Sequence, residues 1–342
     1  MSTSTLPDGS RATGEAGEAG EKSGAGATGV TRAGFLRPRG RLDRRARRGR
    51  GRSGDRHDRR GRKSTALTVA MALMLAYTLL PLVWLMFGAT KSNEGLLSSR
   101  GLWFADDFAL FDNVHDVFTY DDGIYLRWFA NNLLYSVVGA GGAALIATLG
   151  GYALAKFEFT VRRLMFALVL GAISIPGTAL AVPTYLLFSD VGIVNTPWAV
   201  ILPSLASPFG LYLMRVYAAD AVPDAMLEAA RMDGAGELRI FFTISLRLLM
   251  PGFVTVLLFA LVATWNNYFL PLIVLNDPNW FPLTVGLNRW NGQANGGSVA
   301  GSTAIYPILL TGSLLAIVPL IVAFLFLQRF WQSGLSAGGV KQ

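Results

Sequence analysis

The sequence has no cysteine in 342 residues. Disulfides and thiolate metal sites are therefore excluded. Histidine occurs only as His57 and His115, too few and too far apart for a histidine metal cluster. Charge is scarce as well: Asp, Glu, Lys and Arg make up 15% of the chain, against roughly 25% in soluble proteins. No metalloprotease helix, serine elbow or phosphate loop is present. "GATKS" at Gly88–Ser92 lacks the G-x-x-x-x-G-K-[ST] spacing. No catalytic residue, metal or cofactor is expected, and no ATP site. Nothing alternates polar and apolar over about ten residues, as barrel strands do.

What is abundant is apolar sequence. Hydrophobic residues make up 52% of the chain, and the mean hydropathy is +0.42. They cluster in six stretches, each able to supply the ~20 residues that cross ~30 Å of hydrocarbon. These are Ala66–Ala89, Ala130–Leu154, Met165–Leu187, Trp198–Val216, Leu248–Val274 and Ala304–Phe326. Lipid offers free backbone groups no partner, so the spans should be helices and the chain an all-α membrane protein. The first span is too long for a signal core and should remain as an uncleaved anchor. The loop after it is rich in Asp, whereas "KFEFTVRR" carries Lys156, Arg162 and Arg163, and a later loop carries Arg231, Arg239 and Arg247. The positive-inside rule then puts both termini and these two basic loops in the cytosol.

Residues 1–63 form a separate region, rich in Gly, Ala and Ser and then in Arg. They hold 17 Lys+Arg and 7 Asp+Glu, net +10, which leaves about −2 for residues 64–342. Such a head buries too little apolar surface to fold and should be disordered. No aromatic residue interleaves the arginine run for base stacking, which argues against nucleic acid. A juxtamembrane segment contacting anionic lipid fits better.

One polar island lies between the fourth and fifth spans: "VPDAMLEAARMDGAGELRIFFTISLRLLMPG", Val222–Gly252. Pro223 should break the preceding helix. Asp224 is placed to cap a new one over Ala225–Asp233. Gly234 should end it in the left-handed conformation, and Gly236 should begin the next. Met226, Ala229, Ala230 and Asp233 share one side by spacing, and the small alanines would admit a close neighbour. By spacing alone, an ordinary helical surface loop is equally consistent.

The island resembles the cytosolic coupling signature of ABC-importer permeases, E-A-A-x-x-x-G-x(9)-I-x-L-P. Here it reads Glu228-Ala229-Ala230, Gly234, Ile244, Leu246, with Arg247 in place of the proline and Pro251 the nearest one. "FANNLLYSVVGA", "GGYALAKFEF", "IPGTALAVPTYLLF", "ATWNNYFLPLIVL" and the carboxyl-terminal "QRFWQSGLSAGGVKQ" are similar to the six-span, maltose-type inner permease of the carbohydrate branch. The likeness runs from about Ala66 to Gln342. It implies a type I importer permease fold, with Glu228, Ala229, Ala230, Asp233 and Gly234 as the ATPase-coupling residues. It also implies three kinds of partner: a second permease subunit, a cytosolic ATPase dimer and an extracytoplasmic sugar-binding protein. A permease for a non-carbohydrate solute and a non-transporting sensor are the competing readings.

Asn266 and Asn267, beside Trp265 and Tyr268, are polar groups inside the fifth span. Such groups face a water-filled path or bond a neighbouring helix. If the span is one continuous helix the two amides lie about 100° apart. Pro271 leaves the Asn267 carbonyl in need of another donor. Asn266, Trp265 and Asn267 are then the translocation-path candidates, and of the two amides Asn266 is expected to face the path and Asn267 to be structural. The run "GAGGAALIATLGG" predicts close helix packing. "NDPNWFPLTVGLNRWNGQANGGSVAGSTA" reads as an external loop, its aromatics resting at the membrane interface or meeting the binding protein.

Overall fold

The computed structural model describes residues 65–295 and 305–338. The arginine-rich head lies outside the described residues. Helices alone make up the regular structure described: α1 (Thr65–Ala89), α2 (Asn93–Ser98), α3 (Leu110–Thr119), α4 (Ile124–Lys156), α5 (Arg162–Ile173), α6 (Ala181–Val191), α7 (Trp198–Ser204), α8 (Pro208–Ala221), α9 (Asp224–Met232), α10 (Glu237–Ile240), α11 (Leu246–Trp265), α12 (Phe269–Val274), α13 (Leu283–Asn295) and α14 (Ile305–Gly338). Five helical segments among the described residues are long and apolar enough to cross a membrane, and α5 with α6 makes a sixth, bent by 99°.

Breaks inside the apolar runs are what hydropathy did not reveal. The third span was expected as one helix, but it stops at Ile173 and resumes after Pro176, as a 3-10 turn at Gly177–Leu180 that leads into α6. Proline lacks the N–H for the helical bond and pushes the residue before it out of the α region. The fourth span breaks between α7 and α8, where the Ser207 side chain caps α8 by accepting from Gly210 N at 3.2 Å. The fifth ends at Trp265, with Asn266 as its carboxyl cap, and restarts at Phe269.

The centre of the bundle is α4, packed against α8 and α11. Its small residues make this possible. A Cβ built on Gly151 would stand 2.6 Å from Met214 Cβ and 2.7 Å from Arg215 N, while one built on Gly141 meets nothing within 4 Å. Gly151→Ala should therefore destabilise the detergent-solubilised protein by about 1–3 kcal/mol, the cost of overpacking. Gly141→Ala, which meets no neighbour, should leave its melting temperature no lower, or raise it by the better helix propensity of alanine. Equal melting of the two variants would refute close α4–α8 packing.

Of the segment expected as an external loop, residues 276–295 are described, and they form a docked element; residues 296–304 lie outside the described residues. Trp128, Asn131 and Tyr135 follow one another on a face of α4. Trp128 Nε1 donates to Pro278 O (2.9 Å), Asn131 Nδ2 to Asn279 O (2.7 Å) and Phe281 O (3.1 Å), and Tyr135 Oη to Trp280 O (2.8 Å). Side chains thus supply donors to the carbonyls of a single short 3-10 turn, of which only Pro278 O also accepts from a backbone N–H within the turn, that of Phe281 at 3.2 Å. Behind the turn, Trp290 of α13 is buried between Trp128 and Tyr125. It is therefore unavailable to a lipid interface or a soluble partner.

Candidate functional site

Two places carry the residues that the sequence singled out. The first is the hairpin formed by α9 and α10. α8 ends at Ala221, and Val222 and Pro223 are extended. α9 begins at Asp224 itself, so the expected Asp224 cap is corrected: no side chain caps this helix. The Asp224 carboxylate instead accepts from Lys156 Nζ at 2.8 Å.

The far end of α9 closes as the sequence predicted. Gly234 has φ +78°. Asp233 N donates to Ala229 O (3.0 Å), Gly234 N to Arg231 O (3.0 Å) and Ala235 N to Ala230 O (3.1 Å). The last of these spans six residues, as in a Schellman turn. Gly236 does stand at the start of α10 as its N-cap, but with φ −71°, which any residue adopts. Across the turn Arg231 Nε donates to Glu237 Oε1 at 2.6 Å and Nη2 to Oε2 at 3.3 Å. That hydrogen bond holds the Glu237 carboxyl below its ordinary value and raises Arg231. A lowered carboxyl pKa means that the pair is intact at neutral pH and is lost only as pH falls through the lowered value.

The spacing argument about α9 needs one change. Leu227 and Ala230 are buried, joining Val222, Ile240, Phe241, Tyr152 and Met214 in one apolar cluster. Ala230 thus faces the protein's own core, whereas Met226, Glu228, Ala229 and Asp233 are exposed. Met232 on α9 and Leu238 beyond the turn are large apolar side chains left exposed as well. Where the family motif has proline, Arg247 stands. The junction into α11 is a π turn, Phe241–Ser245, closed by Leu246 N donating to Phe241 O.

The second place is a cavity of about 660 Å³. The three helix breaks meet there. Thr178 and Thr184 come from the α5–α6 bend, Ser204 and Ser207 from the α7–α8 break, and Thr264 and Asn267 from the α11–α12 break. Breaking a helix frees backbone and side-chain polar groups, and within a membrane that is tolerated where they line a cavity. No charged residue is among those lining it.

Of Trp265, Asn266 and Asn267, only Asn267 reaches this cavity. Asn266 Nδ2 donates back to Val262 O of its own helix at 2.9 Å. Trp265 is 6% exposed, and its Nε1 donates to Ala316 O of α14 at 3.1 Å. The continuous helix assumed for the fifth span is replaced by a break, which sets Asn267, and neither Asn266 nor Trp265, at the cavity. The Asn267 carbonyl does find another donor, Thr284 Oγ1 at 2.7 Å. Its side-chain amide makes no hydrogen bond among the described residues and is left to the cavity.

The sequence reading missed the hydroxyls around Asn267 and the partner of Lys156. Thr184, Ser204 and Ser207 each sit next to, or within a residue of, a proline (Pro183, Pro203, Pro208) inside an apolar run. That pairing was the available signal.

Residues 142–335 match the family of binding-protein-dependent transport system inner membrane components. The chain is 35% identical over 279 residues to the arabinooligosaccharides transport system permease protein AraQ of Halalkalibacterium halodurans, covering 81% of this chain and 96% of that one. It is 34% identical over 278 residues to the protein of the same name from Bacillus subtilis, covering 81% and 95%. Among solved structures, a bacterial ABC transporter involved in the import of the acidic polysaccharide alginate shares the fold. Its TM-score is 0.68 at 21% identity, covering 78% of this chain and 95% of that chain. The family match encloses both the α9 hairpin and the cavity at the helix breaks, and the chain belongs to the binding-protein-dependent transport system inner membrane components, multi-pass proteins of the cytoplasmic membrane.

Proposed function

We propose that this chain is a permease subunit of an ATP-driven importer for a sugar or oligosaccharide. It pairs with a second permease subunit, receives substrate from an extracytoplasmic sugar-binding protein and takes its motion from a cytosolic ATPase dimer. The observation that carries this reading is the α9 hairpin. It is a nine-residue helix, closed by a left-handed glycine, with one face packed inward and the other exposed. A short rigid helix held in this way suits a groove on another protein, and Ala229 allows close approach. Asn267 and the hydroxyls around it belong to the translocation path. The lining is uncharged and mostly apolar, with one amide and five hydroxyl residues set into it, which suits a neutral polyol with apolar ring faces better than an ion, and the relatives named for arabinooligosaccharides support the same substrate class.

ATP enters only through the partner. Binding of ATP closes the ATPase dimer, which draws the coupling helices together and moves the spans from inward-open to outward-open. The shift is as large as the difference in ATP affinity between the two states. The experiment is to purify the complex from native membranes, identify its subunits and identify the ligand carried by its binding protein. A second permease, an ATPase and a carbohydrate are expected. A non-carbohydrate ligand would refute the substrate class, and absence of an ATPase would refute the importer.

A further inference from the structure

Lys156 ends α4, and its side chain is 4% exposed. Nζ donates to Asp224 Oδ1 at 2.8 Å and to Ala219 O at 3.5 Å. One ammonium therefore joins the end of α4, the last turn of α8 and the first residue of α9. Arg162 Nη2, donating to Ala155 O at 3.4 Å, covers the same end of α4.

A pair with both partners in water contributes little, because water replaces either partner readily. Here only the carboxylate is wet, at 77% exposure. The ammonium is largely desolvated, and losing its carboxylate would strand a charge. The Asp224 side chain is also withdrawn from its usual work, since it caps no N–H of α9. The other contacts that seat α9, through Leu227 and Ala230, are apolar and have no fixed direction. The second ion pair among the described residues, Arg231 with Glu237, is internal to the hairpin. The Lys156–Asp224 pair is thus the charged, directional link between the hairpin and the central span.

From this we infer that Lys156 is a positioning residue that sets the orientation of α9 on α4 and passes displacement of the hairpin into the span. The inference rests on the proposed coupling role of α9. Movement of α9 along the pair's axis is carried by an ion pair and a carbonyl contact, while the apolar seat alone would let the helix roll.

The test uses the assembled transporter with Asn267→Cys as reporter in the cysteine-free chain. The labelling rate by a water-soluble thiol reagent is compared without nucleotide and with ATP plus vanadate. The reporter background should show a change of at least about fivefold, the lower range of coupling between sites. In D224N, in K156M and in the double variant the change should shrink to less than about twofold, with the double no worse than either single. The ATPase should still co-purify, and D224E, which keeps a carboxylate, should recover the response. A full nucleotide response in both single variants overturns the inference and leaves the importer reading intact. Loss of ATPase co-purification in step with the lost response also overturns it, because Lys156 would then only hold the hairpin together. Absence of any nucleotide response in the reporter background overturns the placing of Asn267 in the moving path, and the inference with it. The importer reading, which rests on the α9 hairpin and on subunit co-purification, stands or falls by its own experiment.

Discussion

Replacing Gly234 by valine should leave the protein inserted in the membrane and cut uptake by about fivefold to thirtyfold. The cause is conformational. Gly234 sits at φ +78°, and a Cβ built there meets nothing within 4 Å, so no steric clash with neighbours contributes. A left-handed conformation costs a non-glycine residue roughly 1–2 kcal/mol, and more when it is β-branched. That is enough to change the population of the closed turn by about five- to thirtyfold. The strain is relieved by opening the turn, which undoes the Ala235–Ala230 bond and turns the exposed face of α9 away from its seat. Gly234→Asn is the control, because asparagine tolerates this region, and it should retain most of the uptake. Uptake and ATPase co-purification, measured side by side, decide the matter. Full activity in the valine variant would mean that the closed turn is not what the ATPase grips.

The second large effect is expected at Asn267. Its side-chain amide is left to the cavity, so Asn267→Leu should lower uptake about tenfold, the loss of one hydrogen bond of ~1.5 kcal/mol to substrate. Asn266→Leu should change it less than twofold. The Asn266 amide bonds only the Val262 carbonyl, which already accepts from Asn266 N at 3.1 Å. An exchangeable bond of this kind is worth ~0.6 kcal/mol in a membrane protein. Cysteine at 267 should react with a water-soluble thiol reagent in at least one nucleotide state. If cysteine at 266 reacts and cysteine at 267 does not, the path runs on the other side of α11.

The parts of this molecule that were legible in its sequence are those where lipid or the backbone imposes one solution. Spans are long apolar runs because hydrocarbon demands them. Gly234 was readable because a left-handed helix end has few other occupants. The breaks were not readable. Hydropathy sums side chains and ignores chain direction, so "ISIPGTALAV" scores as a span although it turns by 99°. At the fifth span Pro271 was noticed, but the helix stops earlier, at Trp265. That placement decided which asparagine meets the cavity. On α9, spacing grouped Ala230 with Met226 and Ala229, yet periodicity alone does not say which stripe is inside. Leu227, the one large branched aliphatic side chain on α9, with Ala230 three residues on, was the better guide to the inner face. Lys156 served the sequence reading only as a charge that orients a loop. Its carboxylate partner is 68 residues away and is brought near only by the packing of α4 on α8.

α4 runs unbroken for 33 residues, roughly 50 Å at 1.5 Å per residue. Near its first turns it grips the Pro278–Phe281 backbone through three side chains, and at its last residue it holds Asp224. A helix of this length behaves as a lever. Tilting it by about 10° displaces one end relative to the other by about 9 Å, with no bond inside the helix needing to change. Events at opposite ends of the bundle thus share a single moving part. A substitution that softens the middle of this rod, such as a proline at Ile146, would uncouple the two ends while leaving each local contact in place.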